Sequence, residues 1–156
     1  MIKGTIAENI KISVLYSGAA NAVACDVVDT SKFNYGAFVL IHEGSTDTDL
    51  TLTLYESDTV GKNATAALAV NCPIYFDLWS TSSDVVAATT AAYAIVIDPA
   101  TQGQYLGIME IDPAILSQGY PCVYLDDSGG NAANNLVILW VGDPKTKSGT
   151  LESSIV

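Results

Sequence analysis

The sequence predicts an all-β fold, a β-sandwich of jelly-roll-like build with eight to nine strands. Three observations predict it. Short apolar runs recur at intervals of about 10 to 15 residues, separated by turns rich in Gly, Asp, Asn, Ser and Thr, which is the spacing of sandwich and barrel domains. Several of these runs alternate between apolar and polar residues, the two-residue period of a half-buried strand. Helix signals are confined to one stretch, near 113–118. At 156 residues the chain suffices for one domain with a core of its own.

Taken in order, residues 1–9 read as an N-terminal arm, with Ile2 and Ile6 as its apolar anchors. A core domain spans 10–142. Ile10, Ile12 and Val14 alternate with Lys11, Ser13 and Leu15 in a first strand, closed by Ser17 and Gly18. Ala22 to Asp29 reads as a second. The stretch from Tyr35 to Ser57 organises the rest. Phe38, Val39, Leu40 and Ile41 make a continuous apolar run, and Leu50, Leu52 and Leu54 share one side of the next. A six-residue polar turn, Gly44 to Asp49, joins them and predicts a β-hairpin.

Ala64 to Val70 fits either a strand or a loop. Ile74 to Trp79 is a further strand, as is Ala92 to Asp98 with Tyr93, Ile95 and Ile97 on one side. In Gln104 to Ile111, Leu106, Ile108 and Glu110 face opposite Tyr105, Met109 and Ile111. Asp112 is a good N-cap, Pro113 suits the first helical position and Gly119 the exit, so a single short turn is expected there. Cys122 to Asp126 and Leu136 to Val141 are the last strands. Residues 143–156 read as a tail, with Leu151, Ile155 and Val156 as anchors.

Composition narrows the function. The net charge is -11, and all six basic residues are lysines. An acidic chain without arginine lacks the residue best suited to phosphate and is repelled by nucleic acid and by anionic membranes. The longest apolar tract, Val85 to Ile97, is 13 residues and too short to span a bilayer. Charged residues make up only 15% of the chain, either because a partner covers part of the surface or because Thr, Ser and Asn solvate it. Cys25, Cys72 and Cys122 are odd in number and widely spaced, which suits free thiols rather than disulfides or zinc.

No stretch names a reaction. His42, the single histidine, sits on the Phe38 and Leu40 side of an apolar strand, with no nucleophile motif around any serine. The Asp47–Asp49 and Asp126–Asn131 turns are rich in oxygen but lack the full calcium-loop spacing. Glu43, Glu56 and Glu110 raise the question of a glycosidase pair. Trp79, Trp140 and the tyrosines raise that of a sugar platform, against the plainer reading of core packing. No catalytic residue, metal ligand or cofactor site is assigned.

Four segments carry a resemblance: "ACDVVDTSKFNYGAFVLIHEG", "DLTLTLYESD", "QYLGIMEID" and "NLVILWVGD". In their order they resemble the small β-rich head decoration (cement) proteins of tailed bacteriophages. The resemblance implies a non-enzymatic virion protein, assembled in the host cytoplasm. It would sit on the outside of the capsid, bind the major capsid protein, and form a homotrimer that bridges capsomers. Ile2, Ile6, Trp79, Leu151 and Ile155 are then the expected interface residues. Other readings are a head-completion, neck or tail protein, and a carbohydrate-binding sandwich module.

Overall fold

The computed structural model describes residues 9–44, 48–78, 87–99 and 104–145. Eleven strands are seen there. They are β1 (Lys11–Ala19), β2 (Val28–Asp29), β3 (Phe33–Glu43), β4 (Leu50–Ser57), β5 (Thr65–Ala67) and β6 (Cys72–Leu78). The chain continues through β7 (Ala87–Ala92), β8 (Ala94–Ile97), β9 (Tyr105–Ile111), β10 (Cys122–Gly129) and β11 (Asn135–Pro144). All pairings are antiparallel.

One sheet has six strands in the order β1-β11-β3-β9-β6-β7. The other has five, in the order β2-β10-β4-β5, with β8 beside β5 on the same edge of β4. Pairing follows a simple rule: β1 joins β11, β2 joins β10, β3 joins β9 and β4 joins β8. The chain is thus one long antiparallel ribbon, first strand against last, rolled so that β1 to β4 and again β8 to β11 fall in alternate sheets. That is a jelly roll. The hairpin of β6 and β7 extends the six-stranded sheet. The strand count exceeds the expected eight to nine because β5 lies in a stretch that fits strand or loop and β7 lies just ahead of the expected strand from Ala92.

The expected hairpin of residues 35–57 does not form. β3 lies in the six-stranded sheet and β4 in the five-stranded one. Both strands carry a complete apolar face, Phe38 and Leu40 on β3 and Leu50, Leu52 and Leu54 on β4, all fully buried. A hairpin would set those faces side by side, with nothing above them. Crossing to the opposite sheet stacks them as the two walls of one core. Gly44, at φ +150°, starts the crossing where a side chain would collide with Asn134.

Two further expectations are corrected. Ala22 to Val27 is not a strand. Its amides are used elsewhere: Val23 N–H donates to the Asp127 carboxylate (3.1 Å) and Asp26 N–H to the Leu15 carbonyl (3.1 Å). Tyr93 does not share a side with Ile95 and Ile97, because β8 begins only at Ala94 and Tyr93 is exposed. The short turn after Asp112 is present as a 3-10 turn, Pro113–Ile115, with Asp112 accepting from Ala114 N–H (2.9 Å) and Gly119 at φ +88°. A second 3-10 turn, Thr30–Lys32, is capped in the same way by Asp29.

Trp140 centres the core. Phe33 and Phe38 meet its ring edge-on at 5.4 and 5.3 Å. The indole lies over the cross-strand pair Gly36 and Gly142, where a Cβ on either residue would overlap it. Glu56, buried at the end of β4, ties down the segment after the 113–115 turn by accepting from Ser117 N–H (2.9 Å).

Candidate functional site

The chemistry considered from the sequence is dispersed by the fold. His42 is fully buried, with Leu136 and Tyr105 as its register neighbours on β11 and β9. Trp140 is a core residue and offers no platform to a sugar. Glu56 belongs to the five-stranded sheet and points inward, whereas Glu43 and Glu110 occupy outward positions of the six-stranded one. In the Asp126–Asn131 stretch the Asp127 carboxylate holds Val23, and Asn131 accepts from Ala133 N–H (2.9 Å). Those oxygens serve the backbone. Among the described residues no group of three or more His, Cys, Asp or Glu is placed to hold a metal ion. Ile2, Ile6, Trp79, Leu151 and Ile155, like Asp47, lie outside the described residues.

The three cysteines are free and buried, and burial is the first cause pushing each thiol up to about 11. At neutral pH they are protonated and poor nucleophiles.

What the fold does assemble is a surface. Along β1, Ser13 and Leu15 turn inward while Ile12 and Val14 face out, each 59% exposed. The alternation seen in the sequence marked a strand without saying which side was inside. Register carries these two side chains into rows across the sheet. Ile12 stands beside Val141 and Ala37; Val14 beside Leu139, Val39 and Ile108. A third row holds Val137, Ile41 and Leu106. Ten aliphatic side chains therefore share the outer face of β1, β11, β3 and β9. At ~4.8 Å between strands and ~6.7 Å between successive outward positions, they cover on the order of 300 Å².

Carboxylates mark both ends of this patch. Asp143 and Glu110 lie at one end, Glu43 and Asp77 at the other. No described lysine occupies an outward register position of the sheet. Tyr35 donates to the Glu110 carboxylate, and its phenol is raised first by partial burial and then by that bond. Asp143 accepts from the Asn34 side-chain amide (3.1 Å).

Sequence reasoning did not find this face, although a signal for it was present. Residues 37–41 and 136–141 are apolar without interruption. A strand with one solvated face alternates, while a continuous apolar run is the pattern of a strand covered on both faces. β3 and β11 have the pattern of two covers, and the described residues supply one. No helix among the described residues is long and apolar enough to cross a membrane. The chain matches no family model, no curated protein and no solved structure.

Proposed function

We propose that this is a non-enzymatic structural protein, a decoration (cement) protein that docks on the outer surface of a bacteriophage head and bridges capsomers of the major capsid protein. The observation that carries the reading is the aliphatic outer face of the six-stranded sheet, an uncharged surface on a chain of net charge -11. The rolled two-sheet body supplies a rigid support, and the four segments that resemble head decoration proteins point to the same role. One such patch falls short of the roughly 800 Å² per partner of a standard stable interface. Copies held together, as in a trimer, would add their weak contacts through effective concentration, and a repeating shell offers the matching sites.

The test adds purified protein to heads of the phage that carries it, stripped of this chain, and counts the copies retained. Hundreds per particle are expected. About six or twelve would instead indicate a neck or tail component, and none would overturn the reading.

A further inference from the structure

We infer that the aliphatic face of β1, β11, β3 and β9 docks a foreign protein surface with an apolar centre and Lys or Arg at its two edges, and not a second copy of this chain. The inference rests on the adhesive reading above and names the chemistry of the partner. The argument is one of charge and symmetry. The patch ends in Asp143 and Glu110 on one side and in Glu43 and Asp77 on the other. A two-fold contact between identical faces has its axis in the plane of contact. With the axis along the strands, each end meets its own copy. With the axis across the strands, each end meets the opposite end. Either way carboxylate opposes carboxylate, with no described lysine at an outward position of the face and a net charge of -11 on each chain. The same arrangement welcomes cations at both edges of a partner. It also turns the face away from an anionic lipid surface, which would meet the same carboxylates.

A three-fold assembly of this chain would accordingly use other surfaces and leave this face toward the partner.

Two water-soluble β-hairpin peptides serve as probes, both with a valine face, one with lysines and the other with glutamates at the two edges. Binding is followed by calorimetry at low and high salt, and the mass of the protein by sedimentation. The lysine hairpin is expected to bind at least about tenfold more tightly, with the preference shrinking in 0.5 M salt as screening shortens. Val39→Asp should abolish binding while leaving the solution mass unchanged and the urea transition cooperative. The double variant Glu43→Lys, Asp77→Lys should weaken or reverse the preference, and it leaves the aliphatic rows intact. Equal binding of the two hairpins, or none of the lysine hairpin, overturns the inference. So does a self-association that Val39→Asp dissolves. Phage heads separate the two readings. Heads that retain Val39→Asp as well as they retain the unmodified chain refute the face but not the decoration role. Heads that retain neither, with the hairpin preference intact, refute the decoration role but not the partner chemistry.

Discussion

The two sheets share a core and differ in what they show the outside. On the five-stranded sheet the outward side chains of β4 are Thr51, Thr53 and Tyr55, set beside Ser128, Asp126 and Tyr124 of β10. Part of that face is closed by the chain itself. The 58–64 loop lies over it, with Lys62 donating to the Cys25 carbonyl (3.3 Å) and its ammonium 4.1 Å above the Tyr124 ring. Tyr124 in turn stacks on Tyr55 at 5.5 Å. On the six-stranded sheet the corresponding positions are Val, Leu, Ile and Ala, with no loop described over them. The sheets thus solve their inner faces alike and their outer faces oppositely. A strand's pattern reports which of its faces are apolar, and here only the six-stranded sheet is apolar on both.

The sharpest way to test that contrast is within one strand. Trp140 and Leu139 are neighbours on β11, one inward and one outward. Trp140→Ala should cost about 3–5 kcal/mol in urea unfolding, as large-to-small changes in a packed core do. Leu139→Thr should cost under about 1 kcal/mol, in line with an exposed substitution. Comparable losses would mean that the outer face is already covered within the isolated chain. Next in size is Gly142→Ala, at about 1–3 kcal/mol, because the new methyl overpacks against Phe33 and the indole.

Titration distinguishes core from surface by a different route. Thiols raised to about 11 in the fold and nearer 9 when unfolded stabilise the native state below pH 9. That contribution is lost as pH climbs through 11, because the unfolded chain releases those protons first. The urea midpoint should therefore fall between pH 9 and 11, and Cys72→Ala should flatten part of the slope. The smallest effect is expected at the loop on the five-stranded sheet. Lys62→Ala should remove about 0.5–1 kcal/mol of cation–π attraction and speed alkylation of Cys25, whose carbonyl the lysine holds. An unchanged labelling rate would show that the loop stays closed without the lysine.

The fold class was legible because strand alternation and turn chemistry are local. β9 was read as two opposite faces, of which the fold turns Tyr105, Met109 and Ile111 inside, and the Asp112 cap and Gly119 exit stand as expected. The partner of each strand was not legible. Leu50 to Leu54 would alternate identically in a hairpin or across a sandwich, and only the second strand wall decides between them. Ala22 to Val27 has strand composition, yet its amides are taken by Asp127 and Leu15, more than a hundred and about ten positions away in opposite directions. The aliphatic outer face was half legible. The uninterrupted runs at 37–41 and 136–141 announced two covered sides, but its assembly from four strands required the register.

The ribbon that pairs first strand with last has a consequence for how the molecule is made. β1 emerges from the ribosome early and must wait for residues 135–144 before it finds its neighbour. Contacts this distant in sequence carry a heavy loop-closure penalty and slow the search. During that wait Leu15, Phe38 and Leu40, all buried in the finished fold, are uncovered together. Maturation of this protein should therefore be paced by completion of its own synthesis, with the nascent chain a natural client for chaperones until β11 arrives.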